Sequence, residues 1–378
     1  MKGLKIIQTP ARFYPSVGGV EYAVYYLSRE LVKLGYKVKL ICANEPKSSL
    51  KDIEGIKVER LNYIGKITNT NITLNLPYRL LKEDYDIIHT HMPTPWSSDI
   101  SIFISKLKNK KTIITIHNDI DKHGFLPKLL SDIYLNTFFK ILLYLVDKII
   151  IVNSEWEKTF VNTGNILKRY KNKITVIPNG IDLELFNANG NKKLEDILLF
   201  VSTLDKHHKF KGFDYLLDSL KIVVKKYPKL KLLVIGEGEL KNYYSKKANY
   251  MSLDKNVIFL GQKNQDEVVK YCNKASIFIL PSIDIEGFGI VLLEAMACKI
   301  PVIATDIVGV AREVRQNNCG IIIKPRDSLS LAEAIIKLLK NPKLAKKMGE
   351  NGRKLVESKY SWKSISKQIN NIYQGVIS

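Results

Sequence analysis

The chain has 378 residues, more than one hydrophobic core usually supports, so it should divide into two domains. Hydrophobic residues at 46% and charged residues at 25% exclude a disordered chain, while four scattered cysteines with no Cys-x-x-Cys pair exclude a disulfide scaffold and fit a reducing cytoplasm. The net charge of +22 is spread evenly, with 27 Lys or Arg against 16 Asp or Glu in residues 1–180 and 32 against 21 in residues 181–378, which argues against a dedicated nucleic-acid face.

The opening MKGLKIIQTP reads as a short strand broken by Pro10, too brief for the apolar core of an export signal. Strands follow at KVKLICA, DIIHTH, TIITIH, KIIIVN and ITVIP in the first half, and at ILLFVST, LKLLVIG, VIFLG, IFILPS, VIAT and GIIIK in the second. Helical spacing separates them, as in Val20, Val24, Leu27, Leu31 and Leu34, closed by Gly35. Strand and helix alternating in this way predict two doubly wound α/β domains with parallel sheets, whose ligands bind beyond the carboxyl ends of the strands. The Pro, Gly and Asn cluster of residues 178–196 marks the boundary between them. The run DIYLNTFFKILLYLVDKIIIVNSEW is interrupted by Asn136, Lys140, Asp147 and Lys148 and is too broken to span a membrane. Its helical part, within 125–146, suits either core packing or an amphipathic substrate- or membrane-facing surface. The final YSWKSISKQINNIYQGVIS is an amphipathic helix with Trp362, Ile365, Ile369 and Ile372 on one side, and the second domain is complete without it.

Several residues at strand ends could carry chemistry. Gly18 and Gly19 follow the first strand at the mouth of a helix, where backbone amides can approach an anion. His89, His91 and His117 fall at carboxyl ends of predicted strands; no spacing among them, or at His207 and His208, completes a zinc site. Asp84-Tyr85-Asp86 and Asp119-Ile120-Asp121 are short acidic pairs of low information. Lys206, Lys209 and Lys211 sit in a loop between a strand and a helix, and Gly236 and Gly238 close the next strand. In SIDIEGFGIVLLEAMA, a turn at Gly287 and Gly289 opens an apolar helix, freeing the amides of Phe288, Gly289 and Ile290 for hydroxyl or phosphate oxygens. Glu286 precedes that turn. Glu294 lies one turn into the helix, where an unpaired carboxylate would cost several kcal/mol, on the order of the penalty for any buried charge, and it therefore needs a partner.

With these residues in order, the whole chain resembles the retaining glycosyltransferases of the GT-B fold, specifically glycosyltransferase family four. Glu286-x7-Glu294 within EGFGIVLLEAMA carries most of the likeness, supported by GGVE at 18–21, HTH at 89–91, TIHNDI at 115–120, VIPNGID at 176–182 and the closing YSW helix. The resemblance implies two Rossmann-like domains facing a central cleft. Residues 1–180 would form an acceptor-side domain, joined by a C-terminal helix over 361–378 that crosses back to it, and residues 181–360 would bind a nucleotide-diphospho-sugar, UDP- or GDP-linked. It implies that Glu294 holds the ribose, Glu286 and the Phe288-Gly289 amides hold the donor sugar, His117 lies beside the transferred hexose, Lys211 faces the diphosphate, the Gly18-Gly19 loop reaches it, and Asn179 sits at the hinge, with Gly236 and Ile290 also on the donor side. It further implies no metal or other cofactor, a saccharide or lipid-linked acceptor, and peripheral contact with an anionic membrane from the cytoplasmic side. The chain departs from the family at Ser202-Thr203-Leu204, where many relatives place an arginine on the diphosphate. Thr203 cannot supply that charge, and Lys206 or Lys209 is expected to compensate. A nucleotide-sugar 2-epimerase of the same architecture is the second reading, and a polyanion-binding protein a third.

Overall fold

The computed structural model describes residues 3–16, 18–67, 70–120, 125–153, 156–188, 196–284 and 286–378. It divides into two compact units, Met1–Gly180 with Trp362–Ser378, and Ile181–Ser361.

The first unit is built on eight strands in the spatial order Ile174–Val176, Lys148–Ile151, Lys111–Ile116, Ile87–Met92, Lys5–Thr9, Lys37–Ala43, Ile56–Leu61 and Asp52–Ile53. All neighbours are parallel except the last pair. Ile56–Leu61 was absent from the sequence-based strands because IKVERL alternates apolar and charged residues near the sheet edge and carries no continuous apolar run. The strand order reverses between Lys5–Thr9 and Ile87–Met92, which places a crevice beyond their carboxyl ends.

The C-terminal helix Trp362–Ile377 completes this unit rather than the other. Trp362, Ile365, Ile369, Tyr373 and Val376 are buried in the same core as Ala23, Val24 and Leu27 of the helix Gly19–Lys33. Trp362 stacks on Tyr26 with ring centroids 6.0 Å apart. Ile372, expected on this face, lies at its margin, since the 3.6-residue period carries the stripe to Tyr373 instead.

The second unit has six parallel strands in the order Val257–Gly261, Lys231–Ile235, Ile197–Val201, Ile277–Leu280, Val302–Thr305 and Gly320–Ile323. Alternate residues enter separate cores on its two faces: Leu198 and Phe200 on one, Leu199 on the other. Burial on both faces explains why these strands read as unbroken apolar runs. The order reverses between Ile197–Val201 and Ile277–Leu280, so the loops that follow these two strands border this unit's crevice.

Because Trp362 anchors the C-terminal helix, Trp362→Ala should destabilise the first unit by about 3–5 kcal/mol. Urea unfolding followed by far-ultraviolet circular dichroism should show an earlier transition for that unit and an unmoved one for the other; an unchanged profile would mean the helix is not an integral part of it.

Candidate active site

In the second unit, Ile197–Val201 is followed by Ser202, Thr203 and the buried Leu204. Gly236, at the end of the adjacent strand, has φ +141°, and a Cβ there would collide with the Ser202 carbonyl. Its close approach is thus to the neighbouring strand end, which already accounts for the glycine. The lysines expected in a loop are partly helical: Lys209–Lys211 form a single 3-10 turn. Lys206 lies 3.9 Å from Glu239 on the surface, and Lys209 is exposed with no acidic partner among the described residues. Lys211 turns inward, forms an ion pair with Glu286 that leaves the two side chains only 14% and 11% exposed, and lies over the Phe210 ring.

Glu286 is held from several directions. Its backbone bridges to Val308 and accepts from the Gly309 amide at 3.0 Å, and Ser282 Oγ donates to its carboxylate at 3.4 Å. Gly289, at φ +81°, caps the helix Ile290–Ala297, a left-handed conformation that favours glycine. Among the described residues no side chain caps this helix, which leaves its first amides available for oxygen ligands. Phe288 packs edge-on against Tyr360. Glu294, the fifth residue of the helix, keeps part of its surface open, yet the surroundings are dense enough that desolvation pushes its carboxyl up to about 8. At neutral pH it is a carboxylic acid, able both to donate and to accept.

In the first unit, Gly18 precedes the helix Gly19–Lys33, and the Glu21 carboxylate lies against it, 3.6 Å from Arg12. Arg12, whose Nε is buried with no hydrogen-bond partner among the described residues, carries no periodic signal in the sequence because it lies in a connecting loop. His117 follows Lys111–Ile116 at its carboxyl end. His89 and His91 do not sit at a strand end; they are the third and fifth residues of Ile87–Met92, because that strand runs on to Met92. His89 bonds Tyr373 and Thr115, both at 2.7 Å, and so ties the sheet to the C-terminal helix. His91 lies 2.7 Å from Gln8 Oε1 and 3.2 Å from His117 Nε2. Burial lowers all three imidazoles, to about 3 for His89, about 4 for His117 and well below the usual range for His91; the Asn179 side chain opposes the shift at His117. His91, His117, Asn179 and Trp362 border a cavity of ≈ 20 Å³, room for about one water. Gln8 and Thr115 escaped notice, although a polar residue inside an apolar strand such as KIIQT is itself a signal.

The acidic pairs serve the fold. Asp86 accepts from the Lys5 amide at 2.8 Å and Asp84 pairs with the Lys5 side chain, at the amino ends of their strands. Asp119 accepts from the amides of Asn162 and Thr163 and from the Thr163 hydroxyl, while Asp121 lies outside the described residues. Among the described residues, no group of three or more His, Cys, Asp or Glu could hold a metal ion, and no helix is long and apolar enough to cross a membrane.

A pair of α/β units with parallel sheets recurs in solved structures. HepE from Anabaena in complex with UDP superposes on 98% of this chain and 100% of that one, with TM-score 0.78 at 17% identity. The fold is GT-B. Residues 17–185 match the family model described as Glycosyltransferase Family 4, and residues 182–355 that described as Glycosyl transferases group 1. An uncharacterized glycosyltransferase of Methanocaldococcus jannaschii is 28% identical over 97% of both chains, and a phosphatidyl-myo-inositol mannosyltransferase of Mycobacterium leprae is 25% identical over 95% of this chain and 93% of the relative. The chain is a glycosyltransferase and belongs to the family 4, group 1 glycosyltransferases.

Two pH effects follow. The neutral histidines must gain protons on unfolding below about pH 6.5, the ordinary histidine value, so the first unit should lose stability as pH falls from there toward 4, and His89→Gln should flatten that loss. Glu294 is protonated when folded and ionised when unfolded between about 4.5 and 8, so it removes up to about 1.4 kcal/mol of stability per pH unit as pH rises through that window. Glu294→Gln should therefore raise the melting temperature more at pH 8 than at pH 5; an equal shift at both would place the carboxyl in a water-like environment.

Proposed function

We propose that this enzyme transfers a hexose, with retention of anomeric configuration and without a metal, from a UDP- or GDP-linked donor to a saccharide or lipid-linked acceptor. The observation that carries the reading is the inward ion pair of Lys211 and Glu286 beside the uncapped start of the helix Ile290–Ala297. A cation and free amides suit a departing diphosphate, a carboxylate held by Lys211 and Ser282 suits sugar hydroxyls, and the protonated Glu294 suits a ribose diol. With Lys206 beside Glu239, Lys209 is the cation that stands in for the arginine missing at Thr203. The HepE structures with UDP and with UDP-glucose support a nucleotide-sugar donor.

In the proposed step the bond from the anomeric carbon to the leaving phosphate breaks and the bond to the acceptor oxygen forms on the same face. The acceptor's proton passes to the departing phosphate oxygen. The protein's work is positioning and charge stabilisation: Lys211, Lys209 and the amides of Phe288, Gly289 and Ile290 for the diphosphate, Glu286 for the sugar. His117, neutral at working pH, serves as a hydrogen-bonding group rather than a charge.

A lipid-linked acceptor is supported by the helices Phe125–Asn136 and Phe138–Leu145. Leu135, Phe139, Leu142 and Leu143 are buried, whereas Leu129, Ile133, Phe138, Ile141 and Tyr144 are between 49% and 73% exposed, an apolar face on a strongly basic chain.

Donor screening with UDP-, GDP- and ADP-sugars should give a rise in melting temperature with one base, followed by acceptor-dependent release of the nucleoside diphosphate, unaffected by EDTA, with the product's anomeric configuration matching the donor's by NMR. Lys211→Met should cut turnover at least about 100-fold and destabilise the second unit by about 3 kcal/mol through the stranded Glu286. The double variant Lys211→Met/Glu286→Gln should regain stability but not activity. An isomerised sugar released without acceptor would instead establish the epimerase.

A further inference from the structure

Within the first unit a line of buried polar side chains runs from the helix Gly19–Lys33 through two adjacent strands to the end of a third. Gln8 Nε2 donates to Ser28 Oγ at 3.0 Å, Gln8 Oε1 faces His91 Nε2 at 2.7 Å, and His91 Nδ1 faces His117 Nε2 at 3.2 Å. None of the four residues is more than 5% exposed. At the end of the line His117 Nδ1 is buried and makes no hydrogen bond of good geometry among the described residues, with the Asn179 side chain near the ring.

The polarity of the line can be deduced. A carboxamide oxygen only accepts, so His91 Nε2 must carry the proton that faces Gln8. A neutral imidazole has one such proton, which leaves His91 Nδ1 as a lone pair. His117 Nε2 must then donate to it, and His117 Nδ1 is itself left as a lone pair. The reverse polarity would turn the Gln8 amide nitrogen toward His91, an N–H···N contact for which 2.7 Å is short. His89 takes no part, since its two nitrogens are engaged by Tyr373 and Thr115.

We infer that Gln8 and His91 are positioning residues that fix the tautomer of His117, so that its Nδ1 lone pair is presented to accept a hydrogen bond from a hydroxyl of the sugar substrate. This role rests on the reading of His117 as a sugar-side residue. The tautomer itself rests only on the resting structure.

The test is long-range proton–nitrogen NMR on the full chain labelled with 15N-histidine. At pH 7.5 His91 and His117 should both show the Nε2–H tautomer; an Nδ1–H form at His117 would overturn the inference whatever the enzyme's activity. Gln8→Leu should scramble the His117 tautomer and lower kcat/KM by about 10-fold, the worth of roughly one hydrogen bond, while Gln8→Glu, which still accepts from His91, should keep both within about 3-fold. Addition of the UDP- or GDP-sugar that stabilises the enzyme should shift the His117 Nδ1 resonance in the direction of an accepted hydrogen bond. With turnover intact, an unmoved resonance would sink the proposed role and leave the transferase standing; absence of turnover with every donor and acceptor would instead sink the transferase reading.

Discussion

A parallel sheet covered on both faces dictates where this molecule can keep polar chemistry. Strand residues such as Leu198, Leu199 and Phe200 lie wholly in one apolar core or the other, so an unpartnered polar side chain among them would cost about 1–3 kcal/mol. The strand ends escape that penalty, because the chain leaves the sheet there and backbone amides come free at the next helix. In the second unit Lys211, Glu286 and the start of Ile290–Ala297 all lie in loops or at a helix start after such strands. The first unit departs from the rule at Gln8, His89 and His91, which lie inside strands; each is tolerated because each is hydrogen-bonded.

The charges of the second unit reflect a balance of desolvation and pairing. Lys211 and Glu286 are each largely removed from water, and an ion pair in that setting contributes little net stability compared with apolar residues of the same volume. Folding therefore gives little reason to keep it. Glu294 resolves the same difficulty differently: with no cation beside it among the described residues, it takes up a proton. Two glutamates eight residues apart thus present a carboxylate and a carboxylic acid, and ligand hydroxyls can donate to the first and both donate to and accept from the second.

Much of this was legible in the sequence, for reasons that also explain the gaps. Both-face burial makes IFIL and VIAT conspicuous, and Gly289 before an apolar helix fixes where the free amides lie. The apolar spacing of the final helix was visible through Ile369, although its continuation to Tyr373 was not. Pairings between distant residues were hidden: nothing local in KIIQT says that Gln8 meets His91, or that Tyr373 meets His89 across 284 residues. His89 and His91 were assigned to a strand end because nothing in HTHMP marks where pairing stops, and register with Lys111–Ile116 continues to Met92. Family resemblance supplied the ligand roles, which no spacing could.

The Gly18-Gly19 pair shows how a helix start can be contested between the protein's own carboxylate and a ligand. A side chain at Gly18 would run into the Glu21 carboxylate, which occupies the positive end of its own helix and is balanced by Arg12. That carboxylate is the movable end of a flexible side chain and Gly18 has an extended φ of −172°, so this contact does not by itself require glycine. An anion approaching the same amides would meet that carboxylate first, and would have to displace it or recruit Arg12 to offset the repulsion. At Gly19 the direction a Cβ would take is open space among the described residues. A Cβ is thus tolerated at Gly19 and, once Glu21 swings aside, at Gly18, so both identities are left for a ligand rather than the fold to dictate.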